Sequence, residues 1–385
     1  MSFFGNGAVN RVNLHTVVQA LSEGAGGVFV LVFLLQAGVP APLVLCAMAA
    51  LTAGRFVLRP VVLPLARRIG LRRTLILGTV GEAAVFPLLP LVAGVDGYFL
   101  AFVLIGPIGS VLYWTCYHAY FAAVGDDEHR GSQVALRTAL TSIVGVIAPL
   151  LGAGLLAAGG PWLAFLAAGA IQILAAAPLV GAPEVPLAAP SREPLKGVVT
   201  GAALSACDGV FAGGYFFVWQ IALFTALDGS FTAYGGAMAL AALVGAGFSL
   251  WIGKRIDAGT GRSAIVIAFL VAATVLMFRA VSIGSPGLAV TANAVGALVT
   301  AVWMPALGAP IYNLAKASAC PLRFNVATEG GWDVGCGGAC LIGAAMIWGG
   351  FTYAAPVLLG LAGATAAFAI LWRRYGRVET RALST

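Results

Sequence analysis

Charge is what this sequence is short of. Of its 385 residues only 9% are charged, 21 Lys and Arg against 14 Asp and Glu. A soluble domain carries about 25%, so one solvated globule is excluded. Histidine (3) and cysteine (6) are scarce too. The cysteines, Cys46, Cys116, Cys207, Cys320, Cys336 and Cys340, fall in apolar segments or beside basic residues, which excludes a secreted disulfide framework. No CxxC pair and no His-rich loop occurs. Cys336 and Cys340 stand one turn apart below Asp333, and with Cys116, Cys207 and His118 they suggest a soft-metal path. Free buried cysteine is an ordinary small residue, however, and no metal or other cofactor is expected. No Walker lysine motif and no nucleophile–base arrangement is present, so neither ATP-driven pumping nor an enzyme is expected.

What the sequence has in abundance is apolar length, with 61% hydrophobic residues. Cutting at Gly, Pro and charge yields twelve segments near the ~20 residues that span a bilayer. They are 14–36, 40–65, 74–94, 97–124, 133–157, 161–181, 197–226, 232–252, 263–284, 287–315, 330–350 and 354–374. Only Arg11 precedes the first, with no short h-region and cleavage site, so it reads as a retained span. The net charge of +7 is dispersed in bursts between apolar runs, a pattern for setting topology and not for binding nucleic acid. Arg67, Arg68, Arg72, Arg73, Arg130, Arg192, Lys196, Lys254, Arg255, Arg262, Lys316, Arg323 and the tail from Arg373 all fall on one side. The opposite loops hold no Lys or Arg, which places both termini in the cytoplasm.

Residues 182–194, rich in proline, suit an extended linker and divide two six-span halves, 1–182 and 197–385, joined through 183–196. The halves echo one another. Residues 65–74 match 253–262, and A-L-S-E-G (20–24) matches A-L-S-A-C-D-G (203–209), which puts Glu23 and Asp208 in equivalent places. Parallel repeats about an axis along the membrane normal are a transporter plan with its site between them.

With these features the chain resembles the major facilitator superfamily of secondary transporters over essentially its whole length. Gly253, Asp257, Gly261 and Arg262 follow that superfamily's loop pattern; in the first half only Gly70, Arg72 and Arg73 do, and Arg67 stands at the acidic position. The resemblance implies an all-α integral membrane protein of twelve transmembrane helices in two six-helix bundles, with Asp257 helping to lock one conformation. Gly145, Ala148, Pro149, Gly152 and Gly154 are similar to an element of proton-exchanging exporters, with alanine at two of its glycine positions and without those exporters' arginine in the fourth span. Export of a small organic solute against protons is the implied activity. Uptake of a polar metabolite or metal ion, or a non-transporting sensor or assembly factor of the same fold, stand as alternatives. The setting is the inner (cytoplasmic) membrane of a bacterium; the expected partners are lipid, solute and protons, the expected state a monomer.

Glu23 and Asp208 lie about 14 and 16 Å into their segments at 1.5 Å per residue. A charged carboxylate there costs about 2.5–3.5 kcal/mol, so both are expected to carry protons, with His118 as a possible relay. Tyr113 and Tyr117 on one stripe of 97–124 are expected to face substrate, their rings suiting a planar or cationic molecule. So are Tyr215, Trp219 and Gln220 after Asp208, and Trp303, Tyr312 and Asn313 beside the bend expected at Pro305 and Pro310. Arg137 is expected to bridge to Glu329 or Asp333 as a gate, Arg55 to pair with Glu82 inside one half, and Arg279 to snorkel outward.

Overall fold

The computed structural model describes residues 6–124, 130–187, 195–256, 261–318 and 320–382, and all regular structure in them is helical. Among the described residues eleven helices are long and apolar enough to cross a membrane: α1 (Gly7–Gln36), α2 (Ala41–Ile69), α3 (Leu71–Leu91), α4 (Gly97–Phe121), α5 (Arg137–Val180), α6 (Gly197–Ala226), α7 (Phe231–Ser249), α8 (Gly261–Ser282), α9 (Pro286–Lys316), α10 (Leu322–Trp348) and α11 (Ala354–Tyr375). Backbone groups in lipid must be satisfied within the segment, and an unbroken apolar helix does that.

α5 is longer than one bilayer crossing needs. It breaks at Gly160, whose φ of 68° and ψ of −167° no helix contains. Its two arms both touch α1: Ala148 packs on Gly24 and Ala168 on Gly26. In an unbroken helix those alanines would be about 30 Å apart, so the chain doubles back at Gly160. The break falls between the expected segments 133–157 and 161–181. Gly160 belongs to a series. Gly38, Gly94, Gly229, Gly284 and Gly350 also have positive φ, one at each turn between α1 and α2, α3 and α4, α6 and α7, α8 and α9, and α10 and α11. A side chain is disfavoured there, and glycine turns the chain sharply without that cost.

Two seams join the helices before residue 187 to those after 195. α5 meets α7 through small residues, with Gly235 on Ala153 and Gly145 beside Ala242. α2 meets α10, where Gly337 packs on Thr52. Beyond them, at the far end, Phe29, Phe224, Phe231 and Tyr234 interlock with ring centroids 5.3–6.3 Å apart. At the other end Cys320 and Leu322 share a buried cluster with Val12, Val62 and Tyr120. The loop from α2 to α3 is organised by a carboxylate that sequence spacing did not reveal. Glu184 accepts the backbone N–H of Arg72 (2.8 Å) at the start of α3 and lies 3.6 Å from its guanidinium, close above Gly70 (φ 99°). An acid at a helix N-terminus is favoured by the exposed N–H groups there. With Arg67 at the motif's acidic position, the acid arrives from the start of the linker.

Candidate functional site

α1 and α6 hold the two repeat-equivalent acids, and both lose α-helical form just after them. α1 is α-helical to Ala25, then makes a 3-10 turn at Gly27–Phe29. Glu23 folds back over the break, its Oε2 where a side chain on Gly27 would begin, and accepts from Gln19 at 3.2 Å. α6 passes into a π-helical turn at Gly213–Val218, and Arg279 donates to the carbonyl of Tyr215 within it. Such π turns are rare and gather at functional sites. One turn ahead of it, Asp208 accepts the indole N–H of Trp303 at 2.8 Å.

Both acids open on one cavity of about 570 Å³, lined from both sides of the linker. Small-molecule sites span roughly 300–1,000 Å³. Glu82 also lines it, accepting from Gln172 at 2.9 Å. Trp114, Trp332, Phe216 and Phe217 supply ring surface, and His118 stands in the wall. Gln220 reaches the cavity too; it is 3% exposed, and both its amide atoms are without a hydrogen-bond partner.

One end of the cavity is closed by charge. Arg55 of α2 lies 3.1 Å from both Glu329 and Asp333 of α10. Arg59 pairs with Asp333, reaches Glu329 at 4.0 Å and donates to Thr115 Oγ1 at 2.9 Å. His118 Nε2 is 3.6 Å from Glu329. Two guanidiniums thus face two carboxylates between α2 and α10. The expected gate partner for the acids was Arg137, and here the structure corrects the reading. Arg137 donates to the Tyr117 hydroxyl (3.2 Å) and lies 4.3 Å over the Phe121 ring, within its own half. Arg55 likewise crosses to α10 instead of pairing with Glu82. The error was one of azimuth: depth along a helix is readable from sequence, but the face turned to a given neighbour is not. Asp257 lies outside the described residues.

Most of the aromatic residues expected at the substrate stand behind the wall. Tyr113 and Tyr117 are buried and stacked at 5.6 Å, with His15 against both rings. The Tyr215 hydroxyl donates to the Gly296 carbonyl (2.7 Å), and Trp219 to Asn293 (3.0 Å). Arg279 does not snorkel. It is buried over those two rings, at 4.1 and 4.7 Å. Tyr312 and Asn313 are exposed and outside the lining, and Trp303 touches the site through Asp208. Among the described residues no three His, Cys, Asp or Glu side chains are grouped to hold a metal. Sequence reading missed Arg59, Gln172 and Trp332. The first two were signalled as polar residues inside apolar runs; Trp332 carried no signal.

A helical bundle with paired acids in a central cavity invites comparison with known proteins. The sequence profile described as Major Facilitator Superfamily matches residues 14–319. The chain belongs to the major facilitator superfamily. It is an integral membrane protein and, as a superfamily member, a transporter and not an enzyme. No curated protein matches it. Among solved structures it is similar to the human organic anion transporter MFSD10 (TETRAN), at 18% identity and a TM-score of 0.63, covering 96% of this chain and 97% of that one. An auto-inhibited POT family peptide transporter has 12% identity and a TM-score of 0.63, covering 96% of each chain. The POT family transporter PepTSo has 11% identity and a TM-score of 0.65, covering 97% and 98%. At these identities the likeness speaks for the superfamily fold alone.

Proposed function

We propose that this superfamily member moves a small organic solute by alternating access and couples it to protons at Glu23 and Asp208. The observation that carries the reading is the placement of these repeat-equivalent acids on one cavity, each beside a break in its helix. Neither has an ion-pair partner among the described residues, so each must be neutral or meet a cation when the cavity dries. His118, in the cavity wall and 3.6 Å from Glu329, relays protons. Arg55 and Arg59 with Glu329 and Asp333 form the gate, and Gln220 contacts solute.

In this reading α5 crosses twice, giving twelve crossings in two six-helix bundles, 1–182 and 197–385, with both termini in the cytoplasm, and the protein works as a monomer in a bacterial inner membrane. The structural neighbours include an organic anion transporter and peptide transporters, which supports a small organic cargo. Export by proton exchange rests on the small-residue run 145–154, which packs against α1 beside Glu23.

Purified protein in liposomes containing a pH dye, challenged with a panel of organic solutes, tests the proposal. Proton counterflow evoked by at least one solute, and abolished by Asp208→Asn, is expected. Folded protein giving no flux with any solute would point to the sensor reading.

A further inference from the structure

The acids of the cavity sort into two sets. Glu329 and Asp333 are matched by Arg55 and Arg59 at its end. Glu23, Glu82 and Asp208 form no ion pair among the described residues; they receive the amides of Gln19 and Gln172 and the indoles of Trp303 and Trp332. Arg279 of α8, buried against the π turn of α6, lies over Tyr215 and Trp219 and is not in the lining. The cavity lining thus sets four carboxylates, Glu23, Glu82, Asp208 and Glu329, against one guanidinium, Arg55, which is already engaged by Glu329 and Asp333.

A second observation is independent of charge. Gln220 is buried, belongs to the wall of the same cavity, and has no hydrogen-bond partner for its carbonyl or its amide among the described residues. A buried polar group without a partner is costly, and from its place in the cavity wall a turn of this side chain would bring it to a ligand's hydrogen-bonding group. The remaining wall is largely apolar and aromatic, with Trp114, Trp332, Phe216 and Phe217. Ring faces attract cations, and desolvation strengthens that attraction.

We propose that the cavity takes an amphipathic organic cation, with its charge at Glu23, Glu82 and Asp208, its apolar body against the tryptophan and phenylalanine rings, and a polar substituent at Gln220. This deepens the reading of the site as a solute pathway, and it concerns binding alone. Protons and cation would then compete for the same carboxylates: entry of a positive charge at one of them obliges a proton to leave it.

The test is equilibrium binding to protein in nanodiscs, with empty nanodiscs subtracted, using tetraphenylphosphonium and tetraphenylborate. These probes share shape and apolar surface and differ in the sign of their charge. Binding of the phosphonium at least tenfold tighter than the borate is expected, with a further tenfold loss in Asp208→Asn and in Glu23→Gln/Glu82→Gln. Equal or tighter binding of the borate by the native protein would overturn the proposal, and that comparison needs no variant. Phosphonium binding unchanged in all the variants, folded as judged by thermal unfolding, would overturn it as well. Phosphonium that binds as expected but evokes no proton flux in liposomes would sink the coupling reading and leave the cation site standing. Flux evoked by neutral or anionic solutes, with no phosphonium binding, would do the reverse.

Discussion

Arg59 on α2 and Asp333 on α10 form a buried ion pair between residues 274 positions apart, with 3% and 0% of their side chains exposed. Removing one member leaves the cluster of Arg55, Arg59, Glu329 and Asp333 with an unmatched charge inside the protein, at a cost of up to about 3–5 kcal/mol. Arg59→Met alone and Asp333→Leu alone should therefore lower the melting temperature sharply in detergent. The double variant Arg59→Met/Asp333→Leu should recover most of the loss, because an apolar pair of similar volume is often as stable as the ions it replaces.

Arg55 is the cation that bridges Glu329 and Asp333, and Arg137 is not. Transport in liposomes should fall at least tenfold in Arg55→Glu and return in part in Arg55→Glu/Glu329→Arg. The exchange Arg137→Glu/Glu329→Arg should give no recovery. If it did, while the Arg55 exchange failed, the gate would have been assigned to the wrong arginine.

Gly335 of α10 lies so close to α6 that a methyl group on it would overlap the carbonyl of Ala206, whereas Gly338, one turn on, has nothing within 4 Å. Overpacking a tight contact costs about 1–3 kcal/mol. Gly335→Ala should lower the melting temperature accordingly. Gly338→Ala should leave it unchanged or raise it slightly, since alanine favours helix over glycine by roughly 1 kcal/mol.

Asp96, in the loop before α4, accepts the backbone N–H groups of Phe99 and Ala93 at 2.8 Å each. Those bonds favour the carboxylate and hold its pKa below the ordinary aspartate value. A depressed folded-state pKa stabilises the protein above the unfolded value, near 4, and the contribution vanishes as pH falls through the folded one. The melting temperature of Asp96→Ala should thus lie below that of the native protein at pH 7. The gap should close steadily as the solution is acidified below about pH 4; a gap independent of pH would rule out the carboxylate as its source.

The sequence announced the helices and the turns between them, since each rests on local facts: apolar length, glycine and proline. The pairing of charges was not legible. Arg55, Glu82, Arg137 and Glu329 were all noticed, yet who meets whom depends on helix rotation and on crossings hundreds of residues apart in the chain. The tyrosines misled for a related reason. A stripe of Tyr113 and Tyr117 marks one face of α4 but cannot say whether a cavity or another helix lies against it. Gln220 stood out only once its empty surroundings were visible.

The two seams between the halves differ in kind. Along α5 and α7 the contact is glycine and alanine on both sides, Gly235 on Ala153 and Gly145 by Ala242, so sliding there trades one van der Waals surface for a similar one. Along α2 and α10 separation must pull Arg55 and Arg59 off Glu329 and Asp333. In the proposed alternating access one edge of the molecule would serve as a smooth bearing and the other as a latch. A hinge built this way would swing about its bearing, and whatever neutralises Glu329 or Asp333 would set how readily the latch lets go.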